Sequence, residues 1–356
     1  MRSLLVVTDA WHPQINGVVT SLDRLACELR DIGMRVEFIT PLSFKSIPMP
    51  SYGEIRLSLT APAVVRRFME RYACDHLHIA TEGPLGLMAR SVALKTGRVF
   101  TTSYHTRFPE YVRARFPVPL SFSYAWLKRF HNAGQGCMVA TQTLDHDLSS
   151  WGFRGLMRWS RGVDHTRFRP MKTRVFSDLV GPVFLYVGRV AVEKNIAAFL
   201  ELDLPGTKVV VGGGPQLDEL RQRYQQVRFT GPKQGDDLAA CYAGADVFIF
   251  PSLTDTFGNV LLEAMASGTP VAAYPVMGPI DVIGDSRAGV LDNDLRTAAL
   301  KALDINREHC RNVAHGFTWR ASAEQFLQNA KKAYQLPSNL EKPRGLDASN
   351  STALHP

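Results

Sequence analysis

The stretch "DVFIFPSLTDTFGNVLLEAMASGTPVAAY", residues 246–274, contains three successive elements of one repeating unit. Residues 247–250 form a short apolar run that ends at a proline, which is typical of a buried strand. A turn-rich segment and a helix-like apolar segment follow, and a second apolar run begins after Gly268. This order predicts two parallel strands with a helix packed on their sheet.

The same alternation of short apolar runs and amphipathic segments extends over most of the chain. "LLVVT", a helix-like segment ending at Gly33 and "RVEFIT" open one series, and "PVFLYVGR" at residues 182–189 opens another. We therefore predict an α/β protein with two Rossmann-like domains, 1–170 and 171–320, whose parallel sheets face an interdomain cleft. A helix is expected at 321–335 and a flexible polar tail at 336–356.

The charge of the chain is uneven. Residues 1–170 contain 22 Lys/Arg and 13 Asp/Glu, whereas residues 171–356 contain 19 and 20. A basic first half favours an anionic partner, which can be nucleic acid, phosphate or an acidic membrane surface, although solubility alone is an alternative explanation.

The cysteines and the hydropathy pattern exclude several classes of protein. The five cysteines are scattered and lack C-x-x-C spacing, which argues against a disulfide framework or a zinc site. No run of eighteen apolar residues and no cleavable leader is apparent, so a cytoplasmic location is expected.

Two carboxylates flank the predicted helix start in the opening stretch. Gly258 and Asn259 begin that helix, whose free N–H groups favour a diphosphate. Glu263 lies one turn deeper on the same face, where it can bind two ribose hydroxyls, and Asp255 precedes the helix, where it can bind sugar hydroxyls. The alternatives are a capping role for Asp255 and a solvated helix position for Glu263.

Other candidate residues follow predicted strands. Arg189 and Lys194 suit a diphosphate, although an ion pair with Glu193 on a solvated loop explains them equally well. Gly17 begins the first helix and allows phosphate to approach the backbone, or is an ordinary turn glycine. His105 follows a strand of the first domain and can contact a reacting sugar, although a lone histidine is more often structural.

Residues 107–131 combine cations with aromatic side chains. The candidates for membrane or acceptor contact are Arg113, Arg115, Trp126, Lys128 and Arg129. This composition is typical of an interfacial membrane segment. Single-stranded nucleic acid would use similar residue types, and a partly buried pair of helices is the third interpretation.

Taken together, these motifs resemble the retaining glycosyltransferases of family 4, which have the GT-B fold. The resemblance rests on "DAWHPQINGV", "TEGPLG", "SYHTRFPEY", "SRGVD", "GRVAVEKN" and "DTFGNVLLEAMASGTPV" in this order, the last with the spacing of the E-x-seven-E form of the family but with Asp255 at its first position. It also implies that the C-terminal helix packs back on the first domain.

The resemblance implies roles for individual residues. Gly17, Arg189 and Lys194 would meet the donor diphosphate, and Glu263 would bind its ribose. Phe257, Gly258, Asn259 and Val260 would surround the phosphate and sugar, and Pro232 and Lys233 would border the nucleobase. His105 and Asp255 would contact the donor sugar. The catalytic set is then His105, Arg189, Lys194 and Asp255, with no metal and no cofactor beyond the nucleotide-sugar co-substrate.

Three features depart from the family pattern. Asp255 replaces the usual glutamate, Gly213 stands where an aspartate is common, and the segment 195–207 is compact. The first of these places a shorter carboxylate beside the donor sugar.

We expect a retaining transferase that moves glucose or glucuronate from a UDP-sugar to diacylglycerol at the inner face of the cell membrane. Arg107 is the candidate partner for a uronic acid carboxylate. The alternatives are a GDP-mannose-dependent mannosyltransferase and, from another class, a non-catalytic protein that binds nucleotide-sugars or nucleic acid. Nucleic acid is not the expected partner, and the sequence leaves the oligomeric state open.

Overall fold

The computed structural model describes residues 1–14, 16–49 and 52–335. The side chains of residues 49, 52–55, 114 and 115 lie outside that description, as does the predicted flexible tail.

The first domain contains eight strands and six helices within the described residues. In chain order they are β1 (Ser3–Val7), α1 (Gly17–Asp31), β2 (Arg35–Ile39), β3 (Ser46–Met49), β4 (Tyr52–Ser58), α2 (Pro62–Tyr72), β5 (His76–Ile79), α3 (Pro84–Thr96), β6 (Thr101–Tyr104), α4 (Phe108–Arg115), α5 (Leu120–His131), β7 (Gly136–Val139), α6 (Gln142–Ser150) and β8 (Leu156–Arg158).

Six of these strands form a parallel sheet in the order β2-β1-β5-β6-β7-β8, and β3 and β4 form a separate antiparallel hairpin. All five positions of β1 are buried, as expected for a parallel strand covered on both faces. The predicted alternation is therefore confirmed for the sheet, whereas the antiparallel hairpin was not predicted.

The second domain repeats the architecture. In chain order its elements are β9 (Val183–Val187), α7 (Ile196–Leu200), β10 (Thr207–Val211), α8 (Leu217–Arg223), β11 (Arg228–Gly231), α9 (Gly235–Gly244), β12 (Val247–Phe250), α10 (Asn259–Ala266), β13 (Val271–Ala273), α11 (Pro279–Val282), β14 (Gly289–Leu291), α12 (Leu295–Ala302) and α13 (Arg307–Ala314). The sheet order is β11-β10-β9-β12-β13-β14, with every pair parallel. This is the doubly wound order of a Rossmann domain.

The last helix, α14 (Trp319–Gln335), returns to the first domain. Its buried residues Phe326 and Ala330 share a core with Leu4 of β1 and Trp159, which follows β8. The chain thus crosses twice between the domains.

A buried carboxylate orders the carboxyl edge of the first sheet. Asp9, just after β1, accepts hydrogen bonds from the backbone N–H groups of Leu85 (2.8 Å) and Gly86 (3.2 Å) at the start of α3, and from the Thr81 hydroxyl (2.9 Å). Burial raises the pKa of Asp9 above its ordinary value. The motif "TEGPLG" is therefore hydrogen-bonded to the loop after β1, the loop that leads to α1.

Candidate functional site

The order of strands in the second sheet reverses between β9 and β12. In open parallel sheets, ligands bind outside the carboxyl ends of the strands at such a reversal. The loop after β9 carries Arg189 and Lys194, and the loop after β12 carries Asp255. Residues that are about sixty positions apart in the sequence therefore meet at one edge of the sheet.

Lys194 and Asp255 form an ion pair in which the Lys194 ammonium donates to Oδ1 of Asp255. Their side chains are only 22% and 16% exposed. Burial acts to lower the pKa of Lys194, but the Asp255 carboxylate, with help from Tyr111 and Tyr186, raises it above the ordinary value. Lys194 is therefore a firmly protonated cation, and Asp255 has a charged partner rather than a capping role.

The backbone around Arg189 is held from both sides. The hydroxyl of Tyr186 donates to the carbonyl of Arg189 at 2.7 Å, and Val190 donates its N–H to the carbonyl of Gly213 at 2.9 Å. Arg189 itself is half-buried at the end of β9. Arg189 thus lies on a loop whose backbone is held by hydrogen bonds and which also contains Lys194.

The start of α10 faces the start of α1 across the cleft. Gly258 has φ of 84°, a conformation that favours glycine, and no side chain caps the helix at this end. The first N–H groups of a helix lack intrahelical acceptors and lie at its positive end. A Cβ atom built on Gly17 would lie 3.5 Å from Nδ2 of Asn259. Both predicted phosphate-facing positions therefore adjoin one space.

Phe257 and Val260 contribute to this turn from the apolar side. Phe257 is 5% exposed in the core of the second domain, where its ring meets Phe317, and Val260 packs against the same core. The Phe257 ring anchors the turn, so the backbone of Phe257 is what remains for a ligand to contact, whereas the Val260 side chain is half-buried.

Glu263 is held by a tyrosine from a neighbouring helix. Its Oε2 accepts a hydrogen bond of 2.8 Å from the hydroxyl of Tyr242 on α9. Burial raises the pKa of Glu263 to about 7, against the opposing effect of that hydrogen bond. Glu263 is therefore a half-buried, hydrogen-bonded carboxyl group rather than a freely solvated one, while its contact with ribose stays a prediction.

Pro232 and Lys233 lie exposed directly after β11, at the same carboxyl edge. A Cβ atom on Gly213, in the loop after β10, would lie 3.8 Å from Cδ of Pro232. The glycine that departs from the family pattern thus lies against the segment predicted to border the nucleobase.

The ring of His105 is engaged within the first domain. Its Nε2 lies 2.8 Å from Oγ of Ser103, and its Nδ1 lies 3.1 Å from Nη2 of Arg161. Burial, reinforced by the charge of Arg161, lowers the pKa of His105 well below the ordinary value. His105 is thus a neutral imidazole with both nitrogens occupied, while its contact with a donor sugar stays a prediction.

Hydrogen bonds join the loop after β12 to the first domain. The hydroxyl of Thr256 donates to the carbonyl of His105 at 2.7 Å, and Thr141 donates to the carbonyl of Thr256 at 3.3 Å. Tyr111 of α4 hydrogen-bonds to Thr254 and lies close to Lys194. The Asp255 loop therefore lies between the two domains.

Sequence reasoning missed Tyr111, Arg161, Tyr242 and Thr256. Tyr111 and Arg161 lie inside the motifs "SYHTRFPEY" and "SRGVD", which was the available signal. Nothing in their spacing indicates which partner each side chain meets, because those partners come from other parts of the chain.

The proposed membrane residues lie on α4 and α5. Arg113 on α4 and Arg129 on α5 are exposed. On α5, Trp126 is 42% exposed and Phe122 is 75% exposed. Lys128 is half-buried and lies close to Gly152, whereas the side chain of Arg115 is outside the described residues.

Arg107 is not available in the way that the sequence suggested. Arg107 immediately precedes α4, where it hydrogen-bonds to Glu110 in the first turn of that helix and lies 3.6 Å from the carboxylate of Asp147. These two acids balance its charge, so the structure gives no support to Arg107 as a partner for a uronic acid.

The described part of the chain contains neither a metal-binding cluster nor a membrane-spanning helix. Within residues 1–14, 16–49 and 52–335, no three His, Cys, Asp or Glu side chains are grouped so that they could hold a metal ion. In the same ranges, no helix is sufficiently long and apolar to cross a bilayer.

Comparison with known families agrees with this geometry. Residues 15–167 match the model of "Glycosyltransferase Family 4", and residues 181–305 match that of "Glycosyl transferases group 1". The chain belongs to glycosyltransferase family 4, and it has the GT-B fold.

Individual relatives support this assignment. The chain is 28% identical to a GDP-mannose-dependent alpha-mannosyltransferase of Corynebacterium glutamicum, with 91% of this chain and 87% of that protein covered. It is 26% identical to an alpha-monoglucosyldiacylglycerol synthase of Streptococcus pneumoniae, with 98% and 89% covered. Sucrose-phosphate synthase of Thermosynechococcus elongatus has the same fold, with a TM-score of 0.75, 21% identity and coverage of 94% and 99%.

Proposed function

We propose that this glycosyltransferase moves glucose or glucuronate from a UDP-sugar to a membrane lipid, with diacylglycerol as the favoured acceptor, and that it retains the anomeric configuration. The observation that carries the proposal is the meeting of two helix starts, at Gly17 and Asn259, beside the Lys194–Asp255 pair. Such a space suits a diphosphate flanked by a sugar on one side and a nucleoside on the other.

The cations at the end of the second sheet would stabilise the leaving group. Lys194, Arg189 and the N–H groups at the start of α10 would neutralise the negative charge that develops on the departing diphosphate. This charge compensation by protein groups is the basis for proposing a reaction without a metal. Glu263, held by Tyr242, would accept hydrogen bonds from the ribose.

The proposed reaction exchanges one bond at the anomeric carbon for another. The bond to the diphosphate oxygen breaks, the acceptor hydroxyl forms the new bond on the same face, and its proton passes to the departing phosphate. Asp255 is already paired with Lys194, which suits a role in holding sugar hydroxyls rather than in forming a covalent intermediate. A closed cleft would exclude water and thus favour transfer over hydrolysis.

The surface of α4 and α5 supports a lipid acceptor. Exposed Arg113 and Arg129 would contact anionic headgroups, and the exposed rings of Phe122 and Trp126 would enter the interfacial layer. The name of the pneumococcal relative, which synthesises a glucosyldiacylglycerol, is the reason for favouring this acceptor. The protein would then act as a peripheral membrane enzyme on the cytoplasmic side.

A GDP-mannose-dependent mannosyltransferase is the second candidate, because the corynebacterial relative has that name and the similarity extends over 87% of its length. The proposed nucleobase contacts at Pro232 and Lys233 would then receive guanine in place of uracil.

A panel of donors and acceptors tests the proposal. Purified protein is incubated with radiolabelled UDP-glucose, UDP-glucuronate or GDP-mannose and with vesicles that contain diacylglycerol and an anionic lipid. Labelled glycolipid from a UDP-sugar is the expected result, and it should be lost in Lys194→Met but kept in the exposed control variant Lys332→Met. Product from GDP-mannose alone would establish the second candidate, and absence of transfer from every donor would overturn both.

A further inference from the structure

A row of buried and half-buried polar side chains crosses the first domain from His76 to Arg161 and includes His105. Adjacent members lie 2.8, 2.9, 3.0, 2.8 and 3.1 Å apart. In order, the row consists of His76, Thr101, His78, Ser103, His105 and Arg161. Of these residues only His105 has an expected role, a contact with the donor sugar, so the remainder of this row needs an explanation.

Arg161 determines how His105 is protonated. A guanidinium has only donors, and although burial lowers the pKa of Arg161 to about 9, the group is protonated near neutral pH. Nδ1 of His105 must therefore accept the hydrogen bond from Arg161. A neutral imidazole with an unprotonated Nδ1 carries its hydrogen on Nε2, which then donates to Ser103.

The rest of the row is compatible with two hydrogen-bond patterns. The Ser103 hydroxyl can donate to Nε2 of His78, 3.0 Å away, or to the carbonyl of Ala80, 3.5 Å away. Nε2 of His105 donates to Ser103 in both patterns. The tautomer of His105 is thus set by its two immediate partners, whichever pattern the distant histidines adopt.

Arg161 is itself fixed in place. Its Nη1 donates to the carbonyls of Trp159 (2.6 Å) and Ser160 (3.2 Å), and its guanidinium lies 4.2 Å from the centre of the Trp159 ring. The backbone of Ser160 is bonded to Gln325 and Ser322 of α14, at 2.7 Å in each case. The returning C-terminal helix thus supports the loop that carries Arg161.

We propose that Arg161 and Ser103 are positioning residues that hold His105 as the Nε2–H tautomer, so that the main chain of His105 stays fixed where it meets Thr256 at the domain interface. A protonated imidazole would place a second positive charge against Arg161, and a flipped ring would lose its bond to Ser103. This inference rests on the proposed place of His105 beside the donor sugar.

Nitrogen NMR on histidine-labelled protein tests the tautomer without any measurement of activity. The ring of His105 is assigned by comparison with His105→Asn. The expected wild-type spectrum has a protonated Nε2 and an unprotonated Nδ1 that do not change between pH 5.5 and 8. A ring that titrates in this range, or that carries its hydrogen on Nδ1, would overturn the proposal.

Kinetics test the positioning role. Arg161→Met, which removes the donor, should lower kcat with UDP-glucose on the order of 100-fold, because small displacements of reacting groups have effects of this size. The KM for UDP-glucose should change by less than about threefold, since the diphosphate contacts stay in place. Arg161→Gln keeps an N–H donor and should recover part of kcat, and the exposed control Arg154→Met should match wild type.

Failure of the proposed function can be distinguished from failure of the positioning role of Arg161. Wild-type protein without any transfer activity refutes the proposed function, and the NMR experiment still reports on the ring. A lowered melting temperature with unchanged kcat in Arg161→Met, or no recovery of kcat in Arg161→Gln, would show that Arg161 has a structural role only. If Arg161→Met does not fold, Ser103→Ala takes its place, with the same expected loss of kcat at nearly constant KM.

Discussion

Lys194 donates a hydrogen bond to Asp255 across the loops that follow β9 and β12, and both side chains are largely buried. The pair combines a residue proposed to meet the diphosphate with a residue proposed to meet the sugar. Because Asp255 is one methylene shorter than the glutamate usual in the family, its carboxylate is held close to the loop backbone and to Lys194. A donor diphosphate that binds at Lys194 would therefore have to share a cation that already has a partner.

A double-mutant cycle measures the coupling free energy between Lys194 and Asp255. Asp255→Asn leaves a poorly solvated ammonium group and should lower the free energy of unfolding by roughly 2–4 kcal/mol. Lys194→Met should lower kcat/KM by about 10²–10³-fold, because it removes a cation from the leaving group. Denaturant unfolding and initial rates supply the two readouts. The exposed pair Arg320–Glu324 is the control, and equal coupling in both cycles would contradict a special role for Lys194 and Asp255.

Glu263 predicts a dependence of stability on pH. Its pKa is about 7 in the folded protein, against 4.5 for the ordinary group, so the folded state binds more protons between these values. Stability attributable to Glu263 is therefore greatest below pH 4.5 and falls as pH rises through 7, by up to about 3 kcal/mol. Glu263→Gln should remove this slope, so that the variant gains stability relative to wild type from pH 5 to pH 8.

The same group predicts how donor binding responds to pH. The ionised carboxylate is a stronger acceptor for two ribose hydroxyls than the protonated acid, so UDP affinity should rise as pH passes through 7. Calorimetry on wild type and Glu263→Gln checks this, and parallel pH profiles for the two proteins would exclude Glu263 from the ribose site.

Membrane binding should depend on the exposed cations of α4 and α5. The double variant Arg113→Gln/Arg129→Gln is expected to lose about 2 kcal/mol of affinity for anionic vesicles, at about 1 kcal/mol for each cation near the surface. Vesicle sedimentation at low and high salt measures the effect. Exposed Arg66 and Arg320 provide the matched control, Arg66→Gln/Arg320→Gln, and a loss as large in that variant would mean that the attraction is general to this basic protein.

The return of α14 should support the first domain. Phe326 is 1% exposed, and its ring lies 5.0 Å from that of His78 and 5.1 Å from that of Trp159. Phe326→Ala should therefore cost about 3–5 kcal/mol of stability. Thermal unfolding checks this prediction, and a change below 1 kcal/mol would show that α14 is dispensable for the first domain.

The sequence was sufficient for the fold and for the positions of most candidate residues. The alternation of apolar runs predicts two parallel sheets, and the carboxyl ends of β9 and β12 then bring Lys194 and Asp255 to one edge. The sequence does not predict the interactions of individual side chains, because their partners lie on elements that are distant in the chain. Arg161 reaches His105 from 56 residues away, and Tyr242 holds Glu263 from another helix.

Arg107 illustrates the opposite error. Its single nearby acid, Glu110, left an apparent surplus of positive charge in the sequence, whereas folding adds Asp147 from α6. A local charge count therefore overstated the cation available to a ligand, since it omitted a partner supplied by tertiary structure.

The anomeric configuration of the product tests the central claim most directly. Wild-type protein is incubated with UDP-glucose and diacylglycerol vesicles, and the purified glycolipid is analysed by proton NMR at the anomeric position. We predict an α-linked glucosyl lipid, the same configuration as in the donor, and at least a hundredfold less of it from Lys194→Met, as expected for loss of a group that stabilises the leaving diphosphate. A β-linked product, or release of free glucose without glycolipid, would contradict the account.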